Sequence, residues 1–145
     1  MTHADAGRYS AKHPPDGTID EKIAAAVRGK VAKGEIACAD AERIGAELGA
    51  ALGEVGRTID LLEFRISRCQ LGLFGYDTAG GRVVRTDERV EPGIEASIRS
   101  RLAGGRLPCA AAWEIAAEMN IPRMKVSGAC EALKIKIKPC QLGAF

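Results

Sequence analysis

Near its C-terminal end the chain reads Lys134, then Ile135-Lys136-Ile137-Lys138. Strict alternation of isoleucine and lysine predicts a strand with cations along one edge, where each ammonium can meet a phosphate oxygen. Phe64-Arg65-Ile66-Ser67-Arg68 is the earlier counterpart, with Arg65 and Arg68 as its bases. The same pattern has a plainer use, since lysine on a strand edge discourages edge-to-edge association. Other reactive groups are sparse. Five cysteines, Cys38, Cys69, Cys109, Cys130 and Cys140, include no Cys-x-x-Cys pair, whereas zinc sites show closely spaced ligands. They read as small buried hydrophobes, with a redox or metal pairing of Cys69 and Cys140 as the sharper alternative. The two histidines, His3 and His13, fall in the N-terminal segment, which leaves the folded region without an imidazole base or ligand. There is no phosphate-binding glycine loop and no nucleophile elbow. These residues imply a non-enzymatic protein that needs no cofactor and holds no metal.

Composition narrows the class. The 145 residues are 46% hydrophobic and 28% charged, with 21 Lys+Arg against 19 Asp+Glu, a net charge of +2. That is an ordinary globular balance, and it excludes a strongly basic packaging protein or a highly charged disordered chain. No apolar run approaches the roughly 18 residues of a membrane span. Residues 1–17 lack the apolar core of a secretory signal, so a cytoplasmic location with reduced thiols is expected. Aromatics make up only 4% of the chain, which argues against a stacking platform for single-stranded nucleic acid.

The elements that position these residues come in duplicate. Displaced by 71 positions, residues 23–74 align with 94–145 without a gap, and 19 of the 52 pairs are identical. Both copies end in Cys-Gln-Leu-Gly-x-Phe, the signature of a repeated structural unit. The organisation expected is a flexible tail over 1–17, a first unit over 18–74, a connector over 75–93 and a second unit over 94–145. The connector carries Gly80-Gly81, which suits a hairpin between 71–76 and 82–85. Gln70 and Gln141 are expected to bond backbone groups where the strand ends. Leu71 and Phe74, like Leu142 and Phe145, would close the core.

Within each unit, three helices and a strand are predicted. Thr18-Ile19-Asp20-Glu21 matches a capping box. Ile23, Val27 and Val31, and Ile94, Ile98 and Leu102, are the first-helix stripes, ended by Gly34 and by Gly104-Gly105. Second helices over 39–48 and 110–119 would turn Ile44, Leu48, Ile115 and Met119 inward. They end at Gly49 and Asn120, residue types that tolerate a left-handed terminus. Third helices follow over 53–63 and 123–134. The fold class is mainly α with short β-strands, as two tandem three-helix units.

This order, with the pattern Ile115-Ala116, Met119, Asn120 and Val126 and its looser copy Ile44-Gly45, Leu48, Gly49 and Val55, resembles the helix-turn-helix superfamily in its winged-helix branch. The resemblance spans about two-thirds of the chain. It implies that the third helix meets base edges in the major groove, through Arg123, Met124, Lys125, Ser127, Gly128 and Glu131 in the second unit. In the first unit the matching positions are Leu52, Gly53, Glu54, Gly56, Arg57 and Asp60, with Arg57 the one base. Residues 94–145 hold eight bases and four acids, while residues 23–74 hold seven of each. The expectation is therefore a bacterial DNA-binding protein, a transcriptional regulator that contacts duplex DNA mainly through its second unit. The alternative is a protein-interaction or assembly module, with the first unit binding a protein partner. Trp113, which stands where the first unit has Glu42, marks either packing or such a contact.

Overall fold

In the computed structural model, which describes residues 8–14 and 17–145, six α-helices and one pair of short strands form among the described residues. The chain divides into two compact units. In the first, helix α1 (Glu21–Lys30) begins where the Asp20 carboxylate accepts the free amides of Lys22 at 2.8 Å and Ile23 at 3.3 Å. The cap is thus Asp20 and not Thr18. A carboxylate is favoured at the positive end of a helix, and the Thr18 carbonyl is taken by the Arg57 guanidinium at 3.0 Å. Ile23 and Val27 are buried, while Val31 falls just beyond the helix and is half-buried. Gly34 does not end α1. It lies in the turn after it, across which Ala32 and Glu35 exchange backbone hydrogen bonds.

That turn feeds strand β1 (Glu35–Ala37), then α2 (Cys38–Leu48), α3 (Leu52–Leu61) and β2 (Arg65–Ser67). The two strands pair in parallel, with Glu35 opposite Arg65, Ile36 opposite Ile66 and Ala37 opposite Ser67. Two helices therefore form the crossover of a small parallel ribbon. Its inward residues, Ile36 and Ile66, join Ile23, Val27, Ile44, Val55 and Ile59 in the core.

The second unit repeats this order with α4 (Pro92–Ser100), α5 (Cys109–Met119) and α6 (Arg123–Leu133). Its ribbon shortens to one parallel bridge, Leu107 opposite Ile137. The Leu107 amide donates to the Lys136 carbonyl at 3.0 Å, and the Lys138 amide donates to the Leu107 carbonyl at 2.9 Å. Ile94, Ile98, Leu107, Ile115, Val126 and Cys130 form the core. The tight turns after α2 and α5 are left-handed at Gly49 (φ 60°) and Asn120 (φ 53°), as their residue types predict. Leu48 and Met119, expected inside, are exposed at 43% and 37%. The buried residues of these helices end at Gly45 and Ala116, beside Ile44 and Ile115, so Leu48 and Met119 lie one turn beyond the end of the core.

The compact units cut each repeat directly after its last cysteine. The chain through Cys69 is completed by Gln141–Phe145, and Gln70–Cys140 forms the other unit. In the first unit Leu142 is buried, and its carbonyl lies against the bare Cα of Gly56 in α3. In the second unit Leu71 is buried, and Gly72 lies against the Val84 backbone and the Met124 sulfur. The expected hairpin between 71–76 and 82–85 does not form strands. The Gly72 carbonyl accepts from both Val83 and Val84, at 2.9 and 3.1 Å, so the bonds converge on one residue and no ladder propagates. The glycine pair instead supplies a 3-10 turn (Ala79–Gly81).

The Gly56 contact makes a stability prediction. Gly56→Ala drives a methyl group into the Leu142 carbonyl and should cost about 2 kcal/mol or more. Gly53→Ala, in open space on the same helix, should be neutral or stabilise by about 0.5 kcal/mol. Urea denaturation of both variants checks this, and equal midpoints would contradict the close approach.

Candidate nucleic-acid interface

Helix α6 carries the base-reading positions that the sequence resemblance implies, and the structure engages most of them within their own unit. The Arg123 guanidinium stacks over the Trp113 ring, 3.8 Å from its centroid. It also donates to the Gln70 side-chain oxygen at 2.8 Å. Lys125 pairs with Asp87 at 3.2 Å, and Glu131 pairs with Arg82. Ser127 is fully buried. The Gly128 carbonyl accepts the Asp87 amide at 3.1 Å, and the Arg85 carbonyl approaches so closely that a Cβ on Gly128 would sit 2.6 Å from it. The segment from Gln70 to Asp87 therefore runs along α6. Arg123 and Lys125 serve that packing, which sequence periodicity could not reveal because their partners Gln70 and Asp87 lie 53 and 38 positions away.

In the first unit α3 is engaged from the N-terminal side. Arg57 donates to the Thr18 carbonyl and lies 3.5 Å from Glu54. Asp60 is buried, with His13 at 2.7 Å and Lys12 at 3.1 Å from its Oδ2. Glu63 accepts the backbone amides of Tyr9 at 3.0 Å and Ser10 at 2.7 Å. His13, expected outside the folded region, is thus seated on α3. The 3-10 turn Tyr9–Lys12 that carries it buries Tyr9. The signal available was Tyr9, the one tyrosine, tryptophan or phenylalanine of residues 1–17.

The strand candidates stand differently. Lys134, Lys136 and Lys138 are exposed, and none has a charged or hydrogen-bonded partner through its side chain among the described residues. Lys136 and Lys138 flank the buried Ile137, and Lys134 closes α6 in the left-handed conformation (φ 58°). The pairing of Leu107 with Ile137 sets Arg106 beside Lys136. Arg106 is also exposed and has no acidic partner among the described residues. Arg106, Lys136 and Lys138 thus lie at one short ribbon, with Lys134 at the helix end that leads into it. Along a strand, alternate residues are spaced by about 6.6 Å, and neighbouring strands lie about 4.8 Å apart. Sequence reading missed Arg106, although its alignment with Glu35 marks a charge reversal between the copies.

The first unit shows what this patch would be without that reversal. There the equivalent positions are Glu35, Glu63, Arg65 and Ser67. Arg65 lies 3.7 Å from Glu35, and Glu63 is engaged with the N-terminal turn. Arg68 is exposed just past β2, with a φ of 49°, and has no acidic partner among the described residues.

The cysteines lie elsewhere. Cys38, Cys69, Cys109 and Cys130 are buried, Cys140 is half-buried, and all are free thiols. Burial, reinforced by the adjacent Glu131 charge, pushes the Cys130 thiol up to about 12. Among the described residues no group of three or more His, Cys, Asp or Glu is placed to hold a metal ion. No protein-family model matches the chain, and no curated protein or solved structure is found to be similar to it.

Two outcomes follow from these environments. Hydrogen bonds from Ser10, its hydroxyl first and its amide second, hold Glu63 below the ordinary glutamate value despite a small opposing effect of burial, with the Tyr9 amide adding to them. A depressed carboxylate stabilises docking above its unfolded value of about 4.3, and that stability is lost as pH falls through the lower folded value. Amide-exchange protection of Tyr9 and Ser10 should therefore persist to pH 5 and vanish on further acidification. Protection unchanged by Glu63→Gln would contradict the contact. In thiol alkylation of the native protein at neutral pH, Cys140 should react first and Cys130 last. Mass mapping of the modified peptides gives the order.

Proposed function

We propose that this chain is a non-enzymatic DNA-binding protein of helix-turn-helix type, which holds duplex DNA through the basic ribbon of its second unit. One observation carries the reading: Arg106, Lys134, Lys136 and Lys138 are exposed together with no acidic partner among the described residues. Unpaired cations keep their full attraction for phosphate, whereas paired ones must first break an ion pair. The charge balance agrees. Gln70–Cys140 holds 11 Lys+Arg and 8 Asp+Glu, net +3, while the rest of the chain holds 10 and 11, net −1. Among the described residues no helix is long and apolar enough to cross a membrane, which is compatible with a regulator working on DNA in the bacterial cytoplasm.

A second reading, a protein-contact module, is favoured by one feature. Leu48 and Met119 occupy equivalent positions and are large, apolar and exposed in both units.

A gel-shift titration at low salt separates the two. The intact protein should retard a 30-base-pair duplex. Replacing Arg106, Lys134, Lys136 and Lys138 together by alanine should abolish the shift while leaving the helical circular dichroism and its melting unchanged. Absence of a shift from the intact protein would reject DNA binding and leave the apolar pair as the functional surface.

A further inference from the structure

We infer that the ribbon recognises duplex DNA through its phosphates alone, as a sequence-independent contact. This rests on the DNA-binding reading above.

Reading a base sequence in the major groove requires donors and acceptors that reach base edges, on a helix or a β-ribbon long enough to enter the groove. Neither third helix presents such a set. On α6, Arg123 is stacked and hydrogen-bonded, Lys125 and Glu131 are ion-paired, and Ser127 is buried. On α3, Gly56 lies against a backbone carbonyl, Asp60 is beneath His13 and Lys12, and Arg57 is bonded to Thr18. The ribbon of the second unit is a single bridge between Leu107 and Ile137, too short to lie along a groove.

The chemistry of its charges points the same way. Three of the four are lysines, which act as point charges, and only Arg106 has the forked geometry that reads guanine. No asparagine or glutamine stands among residues 103–109 or 134–138, so the amide pairing that reads adenine is missing from both strands. Duplex DNA presents one charge for about every 1.7 Å of axis, and cations spaced by about 6.6 Å along a strand find phosphates on any sequence.

The test uses the full chain and fluorescence anisotropy. Duplexes of equal length and different base composition should bind with affinities within threefold of one another. The logarithm of affinity should fall against the logarithm of salt with a slope of about −3.6, four phosphate contacts at about 0.9 each. Lys134→Ala should flatten that slope by about 0.9. Selection from a randomised duplex pool should enrich no motif. An enriched motif bound more than tenfold better than its scrambled version would overturn this inference while sparing DNA binding. So would a sequence preference that Arg123→Ala erases. Failure to bind any duplex at low salt would overturn both.

Discussion

Leu142 is buried, and its carbonyl rests against a glycine in the middle of α3. In the other unit Leu71 is likewise buried, and the chain that follows it runs past Met124 and back along α6. Each third helix is therefore held between its unit's core and a second segment of backbone. A helix in that position cannot carry large side chains at its centre. Gly56 answers the constraint in α3. In α6 the equivalent residue, Ser127, is buried, and the closest backbone approach falls one step later at Gly128. Each third helix thus has backbone against it at one glycine, Leu142 at Gly56 and Arg85 at Gly128, although the two approaching segments are not equivalent in the repeat.

That constraint leaves the third helices few unengaged charges. Backbone packed along α3 and α6 brings its own charges, and these neutralise the cations within reach: Asp87 for Lys125, with Arg82 answering Glu131. On the parallel ribbon Glu35 and Arg65 flank the buried Ile36 and Ile66 outside the core, so their identity can change without disturbing packing. Ser67 is buried, whereas its counterpart Lys138 is exposed. The duplication exploits that freedom. Ile66 and Ile137 are retained as buried residues in both copies, while Glu35, Glu63 and Ser67 become Arg106, Lys134 and Lys138. A nearly neutral face in one unit is a cationic face in the other, on the same hydrophobic skeleton.

Much of the skeleton was legible because it is local. The second and third helices, the left-handed turns at Gly49 and Asn120, and the strand after α3 follow from residue type and periodicity over a few positions. Strand β1 was not legible, because Ile36 is its one large apolar residue and no second one alternates with it. Its parallel partner was hidden for a further reason: pairing across a two-helix crossover joins residues 30 apart. The Asp20 cap was obscured by a better-looking box two residues earlier. Leu48 and Met119 obeyed the helical period yet lie outside, because a period fixes a face and not how far the core extends along it.

The candidate site divides along the same line. Lys136 and Lys138 were readable from alternation, since they flank the buried Ile137, whereas Lys134 is exposed as the left-handed cap of α6. Arg123, Lys125 and Ser127 came from a resemblance in which the third helix faces solvent, and what occupies that face here is chain from a distant part of the sequence. An internal repeat makes this especially hard to foresee. A segment such as Cys-Gln-Leu-Gly-x-Phe matches itself in the other copy, so the alignment states that the segment is needed without stating which third helix it covers. In the folded chain Leu142 lies against α3, and Leu71 belongs to the unit of α6. Once those assignments are made, the exposed bases of the second unit without acidic partners among the described residues are Arg85 and Arg89 in the chain beside α6, and Arg106, Lys134, Lys136 and Lys138 at and around the Leu107–Ile137 bridge.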